Sequence, residues 1–487
     1  MNDGIEKRLP EIYLAAALAV SVALCLLTPP FYLPDEIAHA SRELQIAHGG
    51  LLGQRTPEGV GGFIDSGAKA VMDAIGDIQL DLERRHPPVL KRPNGRVTAA
   101  QLAPLSAARW SHQLAFMRFQ NTAVYPPLLY IPQALGWRIG EASGLTVVHS
   151  LFLARLLAAL SAVAIGWFAL RVCASCRWLL TAYLLFPTVL ALGASCSQDA
   201  LLLPTAAMAA AVLTRPISAR RLFTIGELVA LTALLAVCIT SRPPYFPLAV
   251  ALALPALNLP RSRRGDLLRI CSAIAIVILL LGAWVLLVRP LGTFVHPLAH
   301  PDQQIAFLRA HPLEAAGKIS SSTLIQTPIL AAQAIEVHGL LDIYAPLLVY
   351  ALLFAGMGGV VLVAPAQGLA TWSSRAALAA ALAAVFAGIS LVEYIVFTAP
   401  QSDWVACLEG RYYLPPLILA LLFVRHVNLQ QSAREPSRSS FSSTRTRRRI
   451  LLASGAAFLA AVLCTPWVAA RGYYNLSPLA ALRIAGP

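Results

Sequence analysis

Residues 11–39 read EIYLAAALAVSVALCLLTPPFYLPDEIAH. Glu11 to Thr28 is an apolar run close to the ~20 residues that one bilayer crossing takes. Lys7-Arg8 precede it, as in the first regions of a secretory signal. No small-x-small cleavage site follows, because the run ends in Pro29-Pro30. Leu24 stands where a lipoprotein box ahead of Cys25 needs a small residue. The run reads as an uncleaved signal-anchor and first span. Directly after it, prolines lead into Asp35, Glu36 and His39, so a membrane exit and a polar cluster lie side by side.

Composition extends this reading to the whole chain. Of 487 residues, 57% are hydrophobic and 13% charged, against roughly half and a quarter in a soluble domain. A water-soluble globule cannot hide that much apolar surface, and disorder is excluded for the same reason. The expected class is an all-α polytopic membrane protein. Net charge is 38 − 24 = +14. In a membrane chain, basic loops on the cytoplasmic side explain this excess, so no nucleic-acid partner is expected. The eight cysteines are scattered, mostly within or beside apolar runs. Cys173 and Cys176 form a C-x-x-C with no second pair at zinc spacing, so neither a disulfide framework nor a metal site is indicated.

Further apolar runs lie at about 150–170, 178–196, 199–213, 223–241, 244–258, 270–288, 343–363, 376–398, 412–426 and 450–467. With the first they suggest about eleven transmembrane helices. Tyr125–Gly140 is apolar but short and carries three prolines. If it does not cross, Arg171/Arg177, Arg215/Arg220/Arg221, Arg261/Arg263/Arg264, Arg375 and the tract Arg434–Arg449 all fall on the side of Lys7-Arg8. The positive-inside rule favours that arrangement. The expected organisation is a signal-anchor span (1–28), then a long first periplasmic loop with re-entrant or interfacial helices (29–149). A transmembrane bundle (150–288), a second periplasmic loop (289–341) and a second part of the bundle (342–426) follow. A basic cytoplasmic loop (427–449), suited to anionic lipid heads, precedes the last span and periplasmic tail (450–487). The expected location is a bacterial inner membrane, with the chemistry facing the periplasm. No internal repeat is visible, which gives no support to an inverted-repeat transporter.

Polar residues gather at the outer ends of these spans. Asp35, Glu36 and His39 follow the first. Asp35 suits the N-cap of a helix beginning there, and the plain alternative for the pair is that cap plus a solvated Glu. Ser195-Cys196-Ser197-Gln198-Asp199 lies between two runs, Arg242-Pro243-Pro244-Tyr245 follows another, and Glu409-Gly410-Arg411-Tyr412-Tyr413 precedes the run from Leu414. Glu393 lies inside a span, where burying an acid is costly; a structural arginine partner is the equal alternative to a functional role. Tyr125 and Tyr130 flank Pro126-Pro127 and otherwise suit an aromatic belt.

An acid pair, two arginines and several tyrosines in one outer cavity fit a polyprenyl-phosphate sugar donor. Arginine forks match phosphate oxygens. The leaving phosphate is a weak base and needs no protonation, so one carboxylate suffices as general base on an acceptor hydroxyl. Asp35 and Glu36 are adjacent and diverge by about 100° on a helix. They cannot flank a sugar as a retaining pair, and a single base with direct displacement inverts the anomeric carbon.

The pieces Leu33-Pro34-Asp35-Glu36-Ile37-Ala38-His39, Tyr125-Pro126-Pro127-Leu128-Leu129-Tyr130, Ser195–Asp199 and Gly410-Arg411-Tyr412 resemble the DUF2142 family of bacterial membrane proteins and, more distantly, the GT-C glycosyltransferase superfamily. The resemblance spans about residues 10–425. It implies a GT-C-like bundle with a catalytic acid in the first outer loop, a position that Asp35 matches with Glu36 beside it. His39, Tyr125, Tyr130, Asp199, Arg242, Tyr245, Arg411 and Tyr412, gathered at the outer cavity, are the expected substrate-binding residues. Glu409 departs from an expected Gln and adds an acid beside Arg411. Arg242 replaces an expected Lys and keeps its charge. No cofactor is certain; a divalent cation at Asp35/Glu36 is conceivable, as some members of the superfamily use one.

The expected function is transfer of a sugar from a polyprenyl-phosphate carrier to a cell-envelope glycan or lipid acceptor. Two alternatives share the location: a lipid-linked glycan flippase or transporter, and a glycan polymerase or ligase using a diphosphate-linked donor. A transporter should place polar groups mid-span, whereas here they sit at outer ends. In the loops, Arg84-Arg85-His86 and Lys91-Arg92 could meet an anionic glycan, and His296/His300 are four apart but interrupted by Pro297.

Overall fold

The structure is a computed structural model that describes residues 3–85, 99–259, 264–426 and 444–474. The basic loop 427–443, Lys91-Arg92 and the side chains of Arg84 and Arg85 lie outside the described residues.

Six helices are long and apolar enough to cross a membrane: Gly4–Leu27, Val147–Val172, Asp199–Ala219, Asp266–Leu291, Trp372–Val396 and Arg445–Tyr474. Four shorter apolar helices accompany them, Ile225–Ser241, Pro243–Leu252, Leu347–Val363 and Gly410–Phe423. The chain is therefore a helical membrane protein, but the even division into eleven spans does not appear. Proline is the reason. Run 178–196 breaks at Pro187 into Arg177–Leu184 and Pro187–Gly193. Run 244–258 starts Pro243-Pro244 and winds as a tight 3-10 helix over Pro243–Leu252. Run 412–426 is interrupted after Pro415-Pro416. Proline removes an amide donor and collides with the preceding turn, so apolar length alone overstates helix length.

The segment 289–341 is not a simple loop. It holds helices Pro301–Ala310 and Pro312–Ile335. Nor is the fold purely helical. Strands β1 (Gln54–Thr56), β2 (Gly59–Asp65) and β3 (Leu114–Arg118) form an antiparallel sheet in the order β1-β2-β3. Asp65 ends β2 and caps the helix Ser66–Arg85, accepting from the amides of Gly67 and Ala68 at 2.8 and 3.1 Å. Arg55 ties the sheet to the carbonyls of Pro290 and Leu291, so the first and second interspan segments pack as one cap.

The molecule has two chemically distinct poles. At one, Arg171 pairs with Glu11 at 2.9 Å, Arg177 caps the carbonyls of Leu170 and Cys173, and Arg375 reaches the carbonyls of Leu369 and Phe423. A two-stranded contact of Ala366–Gln367 with Arg425–His426 closes that end. At the other pole lie the C-terminal ends of Asp3–Leu27, Ile225–Ser241 and Trp372–Val396 and the N-terminal end of Asp199–Ala219. Between the poles, the helix Arg264–Val288 leaves Leu268, Ile278, Leu279 and Leu286 exposed, a surface suited to lipid.

Tyr125–Gly140 folds as a short turn, Pro127–Tyr130, and the 12-residue helix Ile131–Ala142, too short to cross. Gly136 and Gly140 let it pack backbone to backbone on Val147–Val172. A Cβ at Gly136 would lie 2.5 Å from the Ala154 Cα, and one at Gly140 would lie 2.3 Å from the Ser150 hydroxyl. This is the small-xxx-small spacing that brings helices together in membranes. Gly136→Val should force the two helices apart and destabilise the protein by about 2 kcal/mol or more. Thermal unfolding of the purified protein in detergent checks this; a wild-type midpoint would mean the helices have room to spare.

Candidate active site

The site is built from the exit of the first span. Arg155, eight residues into the helix Val147–Val172, is fully buried and directs every guanidinium nitrogen at this exit. Its Nε and Nη2 donate to the two Glu36 oxygens at 2.8 and 2.6 Å, its Nη1 to the Thr28 carbonyl at 2.7 Å, and its Nη2 also to the Pro29 carbonyl at 3.0 Å. Glu36 Oε1 further accepts from the Cys196 amide at 3.1 Å, which fixes the Ser195–Asp199 turn. The pairing of Asp35 and Glu36 as two site acids is thus corrected. The Glu36 side chain is wholly buried and spent on Arg155. The two carboxylates do not converge on a common cation position. Among the described residues, no group of three or more His, Cys, Asp or Glu side chains is placed to hold a metal ion, His296 and His300 included.

Asp35 goes the other way. It precedes the helix Glu36–Ala47 with φ 58°, in the left-handed region, and makes no side-chain capping bond. The expected cap is therefore absent, because this backbone aims the carboxylate out of the helix. Holding a non-glycine residue there costs about 1–3 kcal/mol, and such strain is characteristic of functional positions. Oδ2 accepts from Arg411 Nη2 at 2.5 Å, yet 43% of the Asp35 side chain stays exposed while Arg411 is 2% exposed. Burial opposes ionisation of Asp35, but Arg411 and then His39 outweigh it and hold the carboxyl below its ordinary value.

Around this pair the structure gathers nearly every residue singled out from sequence. Arg242 Nη2 donates to both Asp199 oxygens at 2.7 and 3.0 Å, and Arg411 Nη1 lies 3.7 Å from Asp199. Tyr412 lies beneath both guanidinium groups, at 4.6 Å from Arg242 and 5.2 Å from Arg411. Tyr245 donates to the Tyr412 carbonyl at 2.6 Å. His39 Nδ1 meets the Tyr130 hydroxyl at 2.7 Å, and the His39 ring stacks on Tyr125. Burial, foremost, pushes His39 down to about 4, with Asp35 opposing, so the imidazole is neutral at pH 7.

Arg411 is not the free phosphate fork that its position suggests. Besides Asp35 and Asp199 it donates through Nε to Glu409 at 2.5 Å and through Nη1 to the Pro34 carbonyl at 3.3 Å. Three carboxylates thus surround two arginines. Arg242 retains a buried Nε without a partner among the described residues. Glu393 is 8% exposed, one of its oxygens likewise has no partner, and both amide atoms of Gln198 are buried without partners.

Sequence reading missed the residues that hold this cluster from behind. Arg42, fully buried, donates to the carbonyls of Leu51 and Tyr125 at 2.6 and 3.2 Å. Trp137 donates to Glu43 at 2.9 Å, and burial pushes the Glu43 carboxyl well above its ordinary value. Charged residues inside apolar surroundings (Arg155) and an acid-arginine pair on one amphipathic helix (Arg42, Glu43) were the available signals.

The fold and site define a multi-pass membrane protein with a buried ionic cluster at one pole. Residues 18–421 match the family described as "Predicted membrane protein (DUF2142)", and the chain belongs to that family. No curated protein and no solved structure matches the chain.

Arg155→Met leaves the Glu36 charge buried and unpaired. It should destabilise the protein by about 3–5 kcal/mol, whereas Glu36→Leu combined with Arg155→Met should recover part of that loss. Denaturant unfolding of the three proteins tests this; equal stability of Arg155→Met and wild type would remove the pair from its anchoring role.

Proposed function

We propose that the protein is a GT-C-like glycosyltransferase of a bacterial inner membrane, with its site facing the periplasm. It transfers a sugar from a polyprenyl-phosphate carrier to a cell-envelope glycan or lipid, and inverts the anomeric carbon. The observation that carries this reading is a single accessible carboxylate, Asp35, backed by a buried arginine and bordered by groups contributed by distant parts of the chain.

The geometry supports the following division of roles. Asp35 is ionised at neutral pH and is the base on the acceptor hydroxyl. Arg411 orients Asp35. Arg242, with a free Nε over the Tyr412 ring, meets the donor phosphate, supported by Tyr125 and Tyr245. Asp199 holds Arg242 in place, and the neutral His39-Tyr130 pair offers a hydrogen bond without adding charge. The partnerless polar atoms of Glu393 and Gln198 support a polar occupant in this region, since buried groups of this kind are normally satisfied. The placement of these groups at one pole, away from the basic turns, favours transfer over transport through the bundle.

Two outcomes test the proposal. Cells carrying Asp35→Asn should lack the same envelope sugar as cells without the gene, although the variant inserts and unfolds like wild type. Mass spectrometry of envelope glycans reads this, and an intact glycan profile in the Asp35→Asn cells would remove Asp35 as base. Glu409→Gln takes one acid from the surplus around Arg242 and Arg411, and should lower the donor KM several-fold with kcat little changed. A raised donor KM would show instead that Glu409 belongs to the binding machinery.

A further inference from the structure

A cavity of about 370 Å³ opens beside Asp35. That is within the roughly 300–1,000 Å³ range of small-molecule sites. Its walls come from separate parts of the chain, Gln79 of the helix Ser66–Arg85 among them. Phe31, Asp35 and Glu36 belong to the exit of the first span, Arg118, Gln120 and Asn121 to the end of β3 and the turn after it, and Phe294 to the second interspan segment. The partly exposed Phe294 ring stands beside amide and charged groups, which is the chemistry that recognises a sugar ring: apolar face on an aromatic, hydroxyls on amides.

Arg118 is the group that this lining does not otherwise use. Neighbouring Arg55 is spent on the carbonyls of Pro290 and Leu291. Arg118 is exposed and has no hydrogen bond or ion pair among the described residues. Its stem is nevertheless placed. Gly59, whose φ of +135° favours glycine, lies beneath it, and the missing side chain there leaves room for the Arg118 Cγ, Cδ and Nε. Gln120 is held by the Thr293 carbonyl at 3.2 Å and Gln79 by the Phe31 carbonyl at 2.8 Å, which keeps the walls together.

We infer that this cavity binds an anionic sugar, with its acid group on Arg118 and a hydroxyl on the exposed face of Asp35. The inference rests on the transferase reading, and makes the cavity its acceptor subsite. It assigns the acceptor a carboxylate or phosphate, because an unpaired guanidinium at the mouth of a sugar-sized cavity discriminates chiefly for such a group.

The probes are D-glucuronate and D-glucose, offered to the full-length purified protein in nanodiscs and read by saturation-transfer NMR titration. Glucuronate should bind about tenfold more tightly than glucose, the scale of one charge-assisted contact. Arg118→Gln should abolish the preference, and Arg118→Lys should keep part of it. Arg118 is exposed, so these variants should unfold like wild type, and matched melting curves confirm it. Equal binding of the two sugars, no binding of either, or a preference that survives Arg118→Gln each overturns the inference. If glucuronate binds through Arg118 while envelope glycans are indifferent to Asp35, the subsite stands and the transferase reading falls. If glycans require Asp35 but Arg118→Gln changes nothing, the reverse holds.

Discussion

A buried ion pair, Glu36 with Arg155, organises this end of the molecule. One guanidinium closes the last carbonyls of the first span, receives the first residue of the next helix and, through Glu36, holds the Ser195–Asp199 turn. Such a pair contributes little net stability over an apolar replacement. What it supplies is direction. Because Glu36 is locked inward, its neighbour cannot also point inward, and the left-handed turn at Asp35 sends that carboxylate outward to Arg411. A strained residue beside a rigid anchor is a means of presenting one acid at a surface without letting it relax into the fold.

The cluster beyond Asp35 is balanced toward acid. Arg242 and Arg411 face Asp35, Asp199 and Glu409, with Glu393 nearby. In a low-dielectric setting the carboxylates compensate both guanidinium charges, and the arginines keep Asp35 ionised against its acidic neighbours. Under the proposed reading, an incoming phosphate would compete with carboxylates for the same guanidinium edges. Discrimination then rests on geometry, since an occupant must satisfy the free Arg242 Nε and the partnerless amide of Gln198 rather than simply supply negative charge. On the other face of Asp35, the Arg118 cavity has the opposite character: open, partly aromatic and with a spare cation. Under the proposed reading, one carboxylate at the junction of these two compartments would join donor to acceptor.

Much of the cluster was legible in the residues. A chain with so few charges has little reason to place Asp35, Asp199, Arg242, Arg411 and their tyrosines at the ends of apolar runs unless they meet, and they do. The errors have a common origin. The eleven-span count took apolar length for helix length and ignored the prolines inside the runs. The Asp35-Glu36 pairing took adjacency for shared orientation, although a single left-handed residue separates their directions. The small sheet was overlooked because strands of three to seven residues, held by a capping Asp65 and an Arg55 clasp, have too short a pattern to stand out.

Composition and hydropathy determined the class of this protein by themselves, because apolar surface on this scale has to meet lipid whatever the chain's path. The polar ends of the runs likewise marked which residues meet in the buried cluster, since charges are expensive there. Which acid faces which arginine was decided only in three dimensions. Arg155 neutralises Glu36 from 119 positions away, and Glu409 occupies an edge of Arg411. Partner choice among buried charges depends on distances of a few ångströms between remote segments, and no spacing along the chain contains that information.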